Sequence, residues 1–191
     1  MLRRRFVLVG LAASASWSLT SSAQDAAPDL EVDLVRQLMA IGALTLLASR
    51  IALPELKIPK LLAFANFEVA EQEASWSILP SLGGSDTLTD TADAPTDSEL
   101  EHRLVPLARN ILDVLRRTEG GTAFARQYFL LQVNAHQQLL RVQEDYLRLG
   151  TNAHYIPVVK LMDLQVREHL QLLDDIKTDT DYGKGTAPPG R

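Results

Sequence analysis

The sequence contains no cysteine. That excludes disulfides, thiolate metal sites and a lipid anchor carried on an N-terminal Cys, so packing has to hold the fold. It has no Gly-x-Ser-x-Gly elbow and no phosphate-binding loop, so no nucleophile constellation stands out. No stretch alternates apolar and polar residues for long enough to make a useful strand, and no internal repeat occurs. Basic residues are in the minority, 19 Lys and Arg against 24 Asp and Glu, for a net charge of −5. Such a balance argues against binding a phosphate backbone, and hence against a nucleic-acid partner.

What is present begins with an address. "MLRRRFVLVGLAASASWSLTSSAQDAAP" has a basic start at Arg3, Arg4 and Arg5, then an apolar stretch to about Leu19. Ser21 and Ala23 supply small residues for a cut after residue 23, the layout of an export signal. Arg3-Arg4-Arg5-Phe6-Val7 resembles a twin-arginine signal, two arginines, any residue, then Phe and an aliphatic residue, but Leu2 and Leu8 depart from that pattern, and an ordinary secretory start fits as well. The apolar run falls short of the roughly 20 residues a membrane span needs, although an uncleaved anchor stays open. The expectation is a periplasmic or exported protein, with membrane association undecided. Removing residues 1–23 takes away three arginines and no acids, which moves the formal charge from −5 to −8.

Beyond the signal the pattern is helical. Leu30 to Leu53 repeats apolar residues at Leu30, Leu34, Leu38, Ile41, Leu44, Ala48 and Ile51, with Asp29 as cap and Pro54 as stop. A second helix opens at Pro59 and runs to about Leu79, before Pro80. Residues 80–97 read as a flexible loop of Gly, Ser, Thr, Asp and Pro. Ser98 and Glu101 suggest a capping box for a third helix to about Arg117, kinked or split at Pro106. The fourth, Thr122 to Leu149, is the longest at about 40 Å, closed by Gly150. The fifth starts between Asn152 and Pro157 and ends near Lys177, and 178–191 read as a disordered tail. The predicted fold is all-α: one ferritin-like antiparallel four-helix bundle over 24–177, with an extra kinked helix in the long connection.

Several polar residues fall on apolar stripes. Met162, Val166, His169, Leu173 and Ile176 share one line of the last helix, and Phe129, Val133, His136 and Leu140 one line of the fourth. In the second helix Leu61, Ala65, Glu68, Gln72 and Leu79 form a stripe, and Phe64, Phe67, Glu71, Ala74 and Ile78 its neighbour. The numbers 136 and 169 average to the turn between their helices, so the two imidazoles should face each other within about one helical turn, roughly 5 Å. Glu68, Glu71, His136 and His169 are thus candidate ligands for one iron, manganese or zinc ion. The Glu-x-x-His pairs of a di-metal site are missing: Val133 and Val166 stand three residues before the histidines. The first helix offers Ile41, Gly42, Leu44 and Thr45 at that level, none of them an acid. The plainer alternative is a buried Glu–His pair completed by Gln72, Gln132, Asn134 and Tyr128, which fixes register at little net stability. His102, His154, Glu73 and the series Glu144, Asp145, Arg148 read as solvated.

"LLAFANFEVAEQEASWSIL" (61–79), "FARQYFLLQVNAHQQLLRVQEDYLRLG" (124–150) and "VREHLQLLDDI" (166–176) resemble a family of bacterial exported proteins. Its members carry a ferritin-like helical bundle and a domain of unknown function, and are described as outer-membrane or periplasmic. The resemblance spans about residues 30–177 and implies fold and address more than activity. It marks His136 and His169 as the family's signature histidines, and Glu71-Gln72 as standing where other members often have Asp-His. Two functions follow as expectations. The first is a non-enzymatic envelope protein with a binding, structural or stress-related role, whose partner is an envelope protein or a small ligand. The second is a mononuclear metal binder with weak redox activity.

Overall fold

The computed structural model describes residues 26–82 and 94–180 of the 191-residue chain. The expected export signal, most of the expected flexible loop and nearly all of the expected tail lie outside the described residues. Six helices and no strand occur among the described residues: α1 (Ala26–Ala52), α2 (Pro59–Leu82), α3 (Asp97–Arg103), α4 (Pro106–Arg117), α5 (Thr122–Leu149) and α6 (Tyr155–Thr180). The chain is all-α, as the periodicity predicts.

α1 is the axis of the assembly. Every residue from Ile41 to Ser49 is buried, because α2 and α5 flank it while α3 and α4 cover it. A helix apolar on all sides has to be surrounded. The segment Leu30–Ala52 is also the one stretch among the described residues long and apolar enough to cross a bilayer. Two-thirds of its most apolar window (67%) is buried inside the protein, as a core helix requires. α5 and α6 pack along each other, whereas α2 and α6 touch along only a short stretch. Arg50 ties the α3 entrance to the same axis, donating to Glu73 (2.7 Å), Asp97 (2.6 Å) and the Pro95 carbonyl (2.8 Å).

Several boundaries differ from the sequence expectation. α1 starts at Ala26, so Asp29 lies inside it and does not cap it. α2 continues past Pro80 to Leu82, and α6 to Thr180. The capping box forms at Thr96 and Glu99, two residues before Ser98 and Glu101. Both registers satisfy the Ser/Thr-x-x-Glu spacing; the earlier one lets Asp97 meet Arg50 and buries Leu100. Pro106 splits the third segment, ending α3 and serving as the first residue of α4. Gly150 follows α5 in an extended conformation, φ −72°, not a left-handed one. Its glycine is needed for another reason: a Cβ there would lie 2.6 Å from the Tyr146 ring. Gly121, at φ 85°, is the position that needs glycine's backbone freedom.

The apolar core forms two clusters. One gathers Leu46, Leu61, Phe64, Leu112, Tyr128 and Leu173; the other gathers Leu38, Ile41, Leu139, Tyr146, Val159 and Val166. On α2, α5 and α6 the boundary between them is polar: Glu68, Gln132, His136 and His169 are all buried there. α2 is also turned differently from the expected neighbouring stripe. Phe64 is buried, while Phe67 and Ile78 are 58% and 49% exposed and Ala74 is exposed. Phe64→Ala should therefore cost about 3–5 kcal/mol and Phe67→Ala no more than about 0.5 kcal/mol. Urea denaturation measures both, and equal losses would contradict this rotation of α2.

Candidate metal centre

Three helices each bring one ligand atom to the polar boundary. On α2, burial of Leu61, Phe64 and Ala65 turns Glu68 inward one turn later. On α5, Gln132, His136 and Leu139 follow one another on the buried face, and on α6 His169 sits between Val166 and Leu173. Glu68 is 0%, His136 1% and His169 5% exposed. The Phe64 ring lies edge-on to both imidazoles, with centroids 5.8 and 5.3 Å away, and fixes their tilt.

The facing atoms form a small triangle. His136 Nε2 is 2.9 Å from His169 Nδ1, and Glu68 Oε2 is 3.2 Å from each of them. These distances match the spacing of ligands around one ion. Bonds of ~2.1 Å separate neighbouring donors by about 3.0 Å at right angles and about 3.4 Å at the tetrahedral angle.

The protons point the other way. His136 Nδ1 meets the Gln132 carbonyl at 2.9 Å; a carbonyl only accepts, so that nitrogen carries the hydrogen. His169 Nε2 is 2.6 Å from Glu71 Oε2, and the neighbouring carboxylate favours the hydrogen on that nitrogen. This second contact is an ion-pair contact, not a directed hydrogen bond, and the Glu71 side chain, 36% exposed, has room to swing into line. In their neutral forms both rings thus present a lone pair to the triangle, beside a carboxylate oxygen. Neither Glu68 oxygen accepts a directed hydrogen bond. Three acceptors in van der Waals contact repel unless a cation lies among them. A proton can serve only one edge of the triangle; a metal ion serves all three.

Charge follows the same geometry. Burial pushes the Glu68 carboxyl up, but the charge that the His136 and His169 imidazoles carry when protonated outweighs it and holds the group far below the usual carboxylate range. For His169, burial pulls the imidazole down, and the Glu68 and Glu71 carboxylates overcome that and raise it. A second network braces the ligands from behind. Gln132 donates to Ser49 Oγ (3.0 Å) and the Thr45 carbonyl (3.3 Å), and the Ser49 and Tyr128 hydroxyls are 2.8 Å apart. Burial first, and then the Glu68 charge, keep the Tyr128 hydroxyl well above its ordinary range, so it stays protonated.

Of the four residues singled out by periodicity, Glu68, His136 and His169 meet in one place. Glu71 lies behind His169, on its far nitrogen. Tyr128 and Gln132 join the bracing network, whereas Asn134 points to solvent. His102 and His154 are exposed, Glu73 pairs with Arg50, and Glu144 and Asp145 make surface ion pairs. Sequence reasoning missed Ser49 and Gln143. Their signal is weak but readable: Ser49 is four residues from Thr45 on the buried α1 face, and Gln143 is seven from His136 on α5. No protein-family model matches the chain, and neither a curated protein nor a solved structure is similar enough to count as a relative.

The two shifted groups set a pH window for metal-free protein. The Glu68 contribution is present above its unfolded value of about 4.3 and fades as pH falls toward the depressed folded one. The His169 contribution is complete below about 6.5 and is lost as pH rises through the raised folded value. Stability in chelator should therefore peak between about pH 4.5 and 6.5 and decline on the alkaline side. An added divalent ion should abolish that alkaline decline, because it takes the place of the proton. Denaturant midpoints across pH, with chelator and with metal, give the comparison. An alkaline decline of equal size in both would be the contrary result.

Proposed function

We propose that this chain is an exported, ferritin-like four-helix bundle protein that holds a single divalent metal ion on Glu68, His136 and His169. The carrying observation is the placement of the outward nitrogens, His136 Nδ1 at the Gln132 carbonyl and His169 Nε2 at Glu71, which leaves three potential ligand atoms facing inward. Two imidazoles and one carboxylate suit iron(II), manganese(II) or zinc. α1 bears no acid at the level of the triangle, where Gly42, Thr45 and Ser49 stand, so a second ion has no ligands among the described residues. This favours a mononuclear centre over a di-metal oxidase. α1 with α2 and α5 with α6 would be the two hairpins of the bundle, and α3 and α4 the crossover that joins them. The resemblance to exported bundle proteins and the N-terminal signal pattern support a location in the bacterial envelope.

A second reading has one observation behind it. The depressed Glu68 and raised His169 also describe a buried ion pair that shares one proton. The protein would then be a non-enzymatic envelope bundle that binds a protein or a small ligand, and the polar boundary would serve register only.

Metal analysis separates the two. Protein purified from its own compartment, or incubated with manganese(II), iron(II) or zinc, should carry one ion per chain. Glu68→Gln, His136→Ala and His169→Ala should each remove it, while Glu71→Gln, acting through His169, should weaken binding by about ten- to a hundredfold. A chain that retains no metal at micromolar free ion, with all four variants folded and indistinguishable, would leave the proton-sharing pair as the account.

A further inference from the structure

The triangle of Glu68, His136 and His169 borders an open space. A small chamber begins at His136 and His169 and extends between α1, α2, α5 and α6. Leu38 and Leu139 wall its inner side, and Gln72, Ser75, Met162 and Gln165, on the sparsely contacting α2 and α6, its outer side. Its volume is ≈ 20 Å³ of space open to the centre of a water molecule. That admits one water, which needs roughly 10–15 Å³ on this measure; a ligand of two or three atoms fits only with one of its atoms seated toward the triangle. Gly42 leaves room for one wall residue: a Cβ at that position would lie 2.6 Å from Gln72 Oε1.

Gln143 is the unexplained group. It lines the chamber, is 0% exposed, and neither its carboxamide nitrogen nor its oxygen has a hydrogen-bond partner among the described residues. Burying an amide without partners costs on the order of 1–3 kcal/mol, so such a group calls for an occupant. It stands two turns of α5 beyond His136, about 10 Å along the helix, and its side chain leans back toward His136. Charge narrows the choice further. A divalent ion on one carboxylate and two neutral imidazoles keeps one positive charge among its own ligands; the partly exposed Glu71 offsets it only from behind His169, and the chamber walls carry no carboxylate.

We propose that the ion's open positions face this chamber and take a monoanion of two or three non-hydrogen atoms, of the azide or hydroperoxide type. The anion enters between α2 and α6, displaces water from the ion, and accepts a hydrogen bond from the Gln143 amide. No bond of the anion is broken and no electron moves in this step. The inference rests on the mononuclear metal reading above.

Cobalt(II) and azide are the probes. Metal content is measured first: one cobalt per chain carries the experiment forward, and no cobalt overturns the metal reading together with this one. With cobalt bound, azide should shift and intensify the visible cobalt absorption saturably. Gln143→Leu, close in volume and without the amide, should keep the cobalt and weaken azide by at least about tenfold, the size of one lost hydrogen bond. Ser75→Phe, at the half-buried entrance, should keep the cobalt and slow or block azide. Stoichiometric cobalt whose spectrum azide leaves unchanged would overturn the proposal while the metal reading stands. Azide binding identical in the parent, Gln143→Leu and Ser75→Phe would overturn it as well.

Discussion

Three lone-pair atoms meeting in a dry interior is the condition that organises this molecule. Glu68, His136 and His169 come from three helices and converge within 3.2 Å. In the neutral forms such a meeting is repulsive, so the surroundings have to fix how the rings are turned. They do so by turning proton-bearing nitrogens outward, by placing Phe64 against both rings, and by anchoring Gln132 to Thr45 and Ser49. The small and hydroxylated residues of α1 are explained by the same need. An axis helix of leucine alone would keep the Thr45 carbonyl but lose the Ser49 hydroxyl that Gln132 and Tyr128 share.

Helix existence was legible from periodicity because 3.6-residue spacing is a property of each segment by itself. The limits of α5, Thr122 to Leu149, coincide with expectation, since glycines bracket it. The meeting of His136 and His169 was legible too, because a short turn between two packed helices forces residues at equal distance from it to the same level. What was not legible was rotation about a helix axis. Glu68 and Glu71 lie only about 60° apart in projection, so both fit a broad inward stripe. Packing of Phe64 against both histidines goes with the rotation in which Glu68 enters the triangle and Glu71 stays at its margin.

Local motifs with two valid registers were likewise undecidable from the chain alone. Thr96 with Glu99 and Ser98 with Glu101 are equally good capping boxes in isolation. Arg50, 47 residues from Asp97, favours the first through a contact no local window contains. Gly150 teaches a related lesson: a glycine after a helix suggests a left-handed cap, but here it clears space for the Tyr146 ring. Gln143 was passed over because a glutamine on a long polar helix attracts no notice until its burial is known.

The ligands' origin in the chain has a mechanical side. α2 belongs to the first hairpin and α6 to the last, and these two helices share little contact of their own. A shared ion would act there as a clasp between distant ends of the chain. Losing it would loosen the α2–α6 edge while leaving each hairpin intact. Scarcity of the ion would then register as susceptibility to proteolysis along one flank, and the life of the molecule would follow the metal supply around it.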